Sequence, residues 1–480
     1  MFTFIAGILL LIIGYFTYGK VVERVFGVNH QRQTPAFSHS DGVDYLPMNQ
    51  KKNSLVQLLN IAGVGPIFGP IMGALYGPVA FLWIVFGCIF AGAVHDYLTG
   101  MISIRNHGAH LPELAGKFLG KVMKHVVNGF AVLLLLLVGT VFVTAPADLL
   151  NNLMGGWASL GLILAAIFIY YILATLLPID KIIGRFYPIF GALLLISAIG
   201  VGITLIFTGA PIPELSFTNL HPDNAPIFPL LFLTISCGAL SGFHATQTPI
   251  ISRTTENEKQ GRFIFYGMMI AEGIIAMIWA AAAMSMFNGS AGLNEILASG
   301  GPGAVVTEVS TTLLGAIGGT LAVLGVIVLP ITSGDTAFRS ARMIIADYLN
   351  VTQKKTLNRL WIALPMFAIS FLLTRIDFTL LWRYFSWANQ STAVIALWVG
   401  AMYLYIAKKN YYIPMIPGIF MTMATFTYIL NAQIGFGLSL PISYMGAGII
   451  TVVITLTFFR GAKKAQEAQI PLDDEVPFVA

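Results

Sequence analysis

Long, uninterrupted apolar runs set the pattern of this chain. A helix needs about 20 apolar residues to cross a bilayer. Runs of that kind recur thirteen times, at 2–19, 53–74, 77–102, 126–146, 158–177, 187–208, 227–250, 263–287, 313–333, 358–374, 380–406, 411–430 and 441–459. Backbone polar groups in lipid need internal partners, and the runs lack the period-two alternation of a β-barrel, so each predicts a helix. The expected fold is an all-α polytopic membrane protein with about thirteen transmembrane helices. No basic stretch precedes the first run and no small-x-small cleavage site follows it, so it reads as a retained helix rather than a signal peptide.

Composition narrows the class further. Of 480 residues, 57% are hydrophobic and 10% are charged. A soluble domain carries about 25% charged residues, so a soluble enzyme, a disordered chain and a coiled coil are excluded. The net charge of +5 is read as topology. With the N-terminus outside, every Lys and Arg except Arg375 and Arg383 falls in an inner segment, as the positive-inside rule requires. Outer loops carry Asp148, Glu214, Asp223, Glu295 and Glu308 instead. An odd number of spans puts the C-terminus in the cytoplasm, and the basic balance implies no nucleic-acid partner. Cys88 and Cys237 both lie in apolar runs and are expected to be free thiols. The segment 460–480 is a polar, finally acidic tail, expected to be mobile.

Two runs carry helix breakers. Residues 62–78 read AGVGPIFGPIMGALYGP and residues 237–249 read CGALSGFHATQTP. Pro66 and Pro70 cannot donate to a helical ladder, and Gly63, Gly65, Gly69 and Gly73 permit unwinding. Unwound backbone at membrane depth is tolerated where it is buried in protein or lines a wet cavity. There, freed amides hold anions and freed carbonyls hold cations; close packing or a simple kink is the alternative. The two broken runs cross in opposite directions with four spans between them. Each therefore opens a five-helix unit, 53–208 and 227–406, preceded by a leading helix and loop (1–52) and followed by two trailing helices (411–459). This is the 5+5 inverted-repeat plan of many secondary transporters, whose site lies between the broken helices.

Several polar groups lie at depth. Glu272 sits mid-span, where a charge costs at least ~2.5 kcal/mol, so it is expected to be protonated, paired or facing water. It is a proton-coupling carboxyl or a structural hydrogen-bonding group. His244 lies in the second breaker with Ser241, Gly242, Thr246, Gln247 and Thr248, and is expected at the substrate or in proton handling. His95 and Asp96 are expected to form an ion pair near the inner interface, structural or proton-bearing. Thr332 and Ser333 offer hydroxyls for a Na⁺ site or for helix–helix contact. Arg339 and Arg342 are expected on a solvated cytoplasmic face. Tyr384 and Trp387 suit interfacial anchoring, with Asn389 and Gln390 nearby. His107, His110 and Glu113 have metal-ligand spacing, but Gly108 and Pro112 argue against one regular helix there, and no metal site is expected.

Four stretches resemble the carbon starvation protein A family: GVGPIFGPIMGALYGP (63–78), HDYLTGMISIRNHGAHLPELAG (95–116), PITSGDTAFRSAR (330–342) and YGKVVER (18–24). The resemblance covers most of the chain, which is shorter than the long family members. It implies a leucine-transporter-like fold in the bacterial inner membrane and uptake of pyruvate or peptides when nutrients are scarce. In that fold the first and sixth core helices are broken. Gly63, Val64 and Gly65 match the unwound stretch whose amides bind a substrate carboxylate, although Pro66 removes one donor. Ala62 with the Thr332–Ser333 pair matches a cation site, which makes Na⁺ coupling an option; Glu272 leaves H⁺ coupling equally open.

The reading is a secondary active transporter, not an enzyme, without cofactor beyond a coupling H⁺ or Na⁺. The substrate is a small carboxylate, pyruvate first and a short peptide second. It is expected to sit against Gly63, Val64, Gly65 and Phe68 on one side and Ser241, Gly242, His244 and Gln247 on the other. Its partners are that small molecule and the lipid bilayer. A channel and an intramembrane metal enzyme are the rivals from other classes, the second needing several ligands converging at one depth.

Overall fold

The computed structural model describes residues 1–42, 44–176, 179–353 and 355–473. Helix occupies every one of the thirteen apolar runs, and helix is the only regular element formed among the described residues beyond the isolated backbone pairing of Met48 with Thr255. Among those residues, eight helices are long and apolar enough to cross a membrane. The count is nine if the bent pair Gln50–Ala62 and Gly65–Tyr76, inclined at 44°, is one span.

The first break falls where the sequence denies the helix a donor. Gln50–Ala62 ends at Gly63, whose φ of 33° and ψ of −149° leave helical space. Pro66 cannot supply the amide that Ala62 O would take in a continuous helix. The chain restarts as Gly65–Gly73, where Ile67 N and Phe68 N both donate to Val64 O at 3.1 and 2.8 Å. A Cβ at Gly63 would lie 2.5 Å from the Phe142 ring, so neither the backbone angle nor the space accepts another residue.

The second break is shorter than its breaker motif suggests. Helix Ile227–Thr234 stops, non-helical backbone runs over 235–241, and Gly242–Ser252 resumes the helix. Thus His244, Gln247 and Thr248 stand on a helix rather than in the unwound segment; Pro249 is tolerated near its end. Side chains from other helices satisfy the exposed backbone. Trp83 Nε1 donates to Ile235 O at 2.8 Å. Gln390 Nε2 donates to Phe232 O and Leu240 O, each at 3.1 Å.

Ser290–Leu349 is interrupted at Gly301 and Gly315, where φ is 64° and 70°. Beyond Gly315 the helix does not stop at Ser333 but runs on to Leu349. Arg339 and Arg342 are therefore buried, at 2% and 1% exposure, and not on a solvated face as expected. Partners explain it: Arg339 Nη2 donates to Ala174 O at 2.8 Å and lies 3.7 Å from Asp335, and Arg342 bonds Gln353.

The tail also departs from expectation as far as residue 473. Helix Leu440–Glu467 carries the chain past the membrane run. Arg32 Nη2 then holds Asp473 at 2.7 Å, and Asn106 Nδ2 donates to Leu472 O at 3.2 Å, so this part is packed rather than loose. The rest of the tail, 474–480, lies outside the described residues.

Candidate functional site

The two breaks meet in the protein interior. A Cβ at Gly65 would lie 2.3 Å from Cys237 Sγ, so the restart of the first broken helix rests directly on the start of the second break. Phe142 bridges Gly63 to Phe243, ring to ring at 5.9 Å. Gln247 Nε2 donates to Gln57 Oε1 at 3.1 Å, joining the two broken helices a second time.

At this junction the second broken helix and two further helices bring together a chain of ionisable groups. Helix Ala93–Arg105 carries His95 and Asp96, Gly242–Ser252 carries His244, and Met268–Met286 carries Glu272. His95 Nδ1 and His244 Nδ1 each lie 2.8 Å from a different oxygen of Asp96. An ionised carboxylate only accepts, so both rings place a proton on Nδ1. His244 Nε2 then faces Glu272 Oε2 at 3.5 Å. All four side chains are fully buried. His95 and Asp96 thus pair with each other, and through the second Asp96 oxygen the pair is continuous with His244 and the central cluster.

Asn389 completes the second break. Its Oδ1 accepts from Phe243 N at 2.7 Å and from Ser241 Oγ at 3.2 Å, capping the helix that presents His244. Cys237 Sγ lies 3.4 Å from Ser241 Oγ and 4.0 Å from Asn389 Nδ2.

The other expected site residues are placed as follows. Val64 is buried at the first break, and Phe68 is buried against Trp382 and Phe378, with ring centroids 6.2 and 6.4 Å away. Gly242 abuts helix Phe378–Ile406, where a Cβ would lie 2.1 Å from Asn389 O. Ser333 Oγ donates to Leu59 O at 2.9 Å, which brings it to the helix that ends at Ala62. Thr332 Oγ1 donates instead to Leu329 O of its own helix at 2.7 Å, while Thr336 Oγ1 reaches Asn60 Oδ1 at 2.9 Å. His107, His110 and Glu113 do not share a helix face: His107 sits in a turn at φ 54°, and His110 precedes helix Leu111–Leu119.

Sequence reasoning left out Gln57, Cys237 and Asn389 as site residues. For Gln57 and Asn389 the signal is a run of polar residues inside an apolar stretch: Asn53, Ser54, Gln57 and Asn60 in one run, Ser386, Asn389, Gln390 and Thr392 in another, all buried.

Comparison with known proteins adds the following. The family model described as Carbon starvation protein CstA matches residues 1–167, 158–294 and 289–428. An uncharacterized membrane protein of Haemophilus influenzae is 49% identical over 352 residues, covering 62% of this chain and 95% of the relative. A peptide transporter CstA of Escherichia coli is 26% identical, covering 90% of this chain and 82% of the relative. A pyruvate/proton symporter BtsT of Escherichia coli is 27% identical over 58% of this chain; the alignment spans 48% of that protein's length. In fold, the chain is similar to a manganese transporter from Eremococcus coleocola, with a TM-score of 0.57 and 12% identity over 90% of this chain and 99% of that one.

Proposed function

The chain belongs to the carbon starvation protein CstA family, and from that premise we propose that it is a secondary active transporter taking up a small carboxylated nutrient, pyruvate first and a short peptide second. The observation that carries the reading is the junction of two broken helices, Gly65 against Cys237, lined by a fully buried polar cluster. A stable core seldom buries so many polar groups, and in a membrane such groups mark a transport site. The relatives named as a peptide transporter and as a pyruvate/proton symporter support the substrate classes.

The protein sits as a multi-pass inner-membrane protein, N-terminus outside and C-terminus cytoplasmic. Residues 53–208 and 227–406 form two units of opposite topology that rock against each other to alternate access. The substrate carboxylate sits at Gly63–Gly65 and its other end at Ser241–Gln247. An ion gradient drives uptake: the symporter relative favours H⁺, while the Ala62 carbonyl freed by Pro66, with Ser333 close by, offers a place for Na⁺. A close-packed cluster with no exposed side chain favours gated transport over an open channel.

Thermal unfolding of the purified protein in detergent tests substrate class. A ligand at 100 times its Kd stabilises by about 2.7 kcal/mol. Pyruvate, or a dipeptide, is expected to raise Tm where the matching amide or ester does not. Equal shifts with charged and neutral forms, or none with either acid, contradict a carboxylate site.

A further inference from the structure

His244 presents a contradiction that a cation resolves. Its Nδ1 proton is committed to Asp96, so Nε2 carries a lone pair unless the ring is doubly protonated. That atom faces Glu272 Oε2 at 3.5 Å, beyond hydrogen-bonding distance. Among the described residues, His244 Nε2 and both Glu272 carboxylate oxygens have no hydrogen-bond partner, and both side chains are fully buried. Two acceptor groups facing each other in a dry interior need a positive charge between them, either a proton or a metal cation. The third corner identifies the kind of charge. One ligand atom each from Cys237, His244 and Glu272 lie within 4.8 Å of one another.

We propose that Cys237, His244 and Glu272 bind a divalent transition-metal ion of borderline softness, of the Zn²⁺, Fe²⁺ or Co²⁺ class. Bonds of about 2.0–2.3 Å to sulfur, nitrogen and oxygen put tetrahedral ligand atoms about 3.3–3.8 Å apart, a modest contraction of the spacing here. Mixed thiolate, imidazole and carboxylate ligation suits these ions and not Mg²⁺ or Ca²⁺, which take oxygen ligands. The surroundings are arranged as such a site needs. Asp96 accepts from the Nδ1 side of His244, which aims Nε2 and raises its basicity. His95 holds the other Asp96 oxygen. Asn389 Nδ2 points its donor at Cys237 Sγ, and Gly65 leaves the space that sulfur occupies. Thiolate and carboxylate together balance a dication. The second cysteine is not a ligand: Cys88 Sγ is turned to Met269 O at 3.3 Å. The inference does not depend on which nutrient is carried, since a metal is predicted whether or not pyruvate is transported.

The test uses the full chain expressed in cobalt-supplemented medium and purified in detergent, so that the ion is incorporated as the buried site forms. Metal content is measured by mass spectrometry and absorbance from the near-ultraviolet to the visible. The expected result is one Co²⁺ per chain with a thiolate-to-cobalt charge-transfer band. Cys237→Ser abolishes the band, Cys88→Ser retains it, and Asp96→Asn weakens retention against a chelator about 10–100-fold. Each variant is first shown to be monodisperse; where Cys237→Ser is not, Glu272→Gln replaces it, with loss of stoichiometric cobalt as the expected readout. The proposal is overturned by native protein without stoichiometric cobalt, by cobalt without the charge-transfer band, or by a band that survives Cys237→Ser or vanishes in Cys88→Ser.

Discussion

Gly65 lies so close to Cys237 that a single added carbon would come within 2.3 Å of the thiol sulfur and 2.4 Å of Cβ. The two interrupted helices therefore touch where one residue has no side chain.

Gly65→Ala is expected to push the breaks apart. Overpacking of this kind costs about 1–3 kcal/mol. Tm in detergent should fall while the protein still inserts, and uptake should be lost. Native uptake by this variant would move the substrate elsewhere.

Asn389→Ala removes the acceptor that caps helix Gly242–Ser252 and strands Phe243 N and Ser241 Oγ. Unsatisfied buried donors cost about 1–3 kcal/mol each. The expected result is lower thermal stability together with loss of uptake, because His244 loses its fixed orientation. A variant with native stability would show that Asn389 does not hold the second break.

The legible part of this fold is the part set by local chemistry. Thirteen apolar runs became helices because lipid leaves the backbone no other partner. Pro66 and Gly63 marked the first break correctly. The second was located but misjudged in extent: helix resumes at Gly242 because Asn389 caps it, and that cap arrives from a helix more than a hundred residues away. The link from the His95–Asp96 pair to His244 was missed for the same reason. It depends on how three helices pack, which no local pattern encodes. Burial of Arg339 and Arg342 was likewise illegible, since the carbonyl of Ala174 and the side chain of Gln353 that receive them lie on other segments.

Arg105 and Glu258 anchor the other end of the helix that carries His95 and Asp96. Arg105 Nε and Nη2 each reach a Glu258 oxygen at 2.9 Å, Nη1 reaches Tyr403 Oη at 3.0 Å, and the guanidinium lies 4.2 Å from the Phe26 ring centroid. Glu258→Gln leaves a buried guanidinium without its counter-charge, a loss of about 3–5 kcal/mol. Thermal unfolding should show a large fall in Tm; a change near zero would mean that solvent reaches the pair.

Ser333→Ala unties Ser333 Oγ from Leu59 O beside the first break. About 0.5–1.5 kcal/mol of stability should be lost. If Na⁺ drives transport, Na⁺ stimulation of uptake should disappear in Ser333→Ala and in the double variant with Thr332→Ala. Stimulation that persists in the double variant would place the ion elsewhere.

The most direct test of the transport claim is uptake of labelled pyruvate into proteoliposomes holding the purified protein, with pH and Na⁺ gradients imposed separately. The account predicts accumulation above equilibrium under one gradient, abolished when that gradient is dissipated, and absent for Gly65→Ala. Equilibration without accumulation under either gradient would contradict coupled transport, and absence of uptake by folded protein, for pyruvate and for short peptides alike, would contradict the carboxylated-nutrient reading.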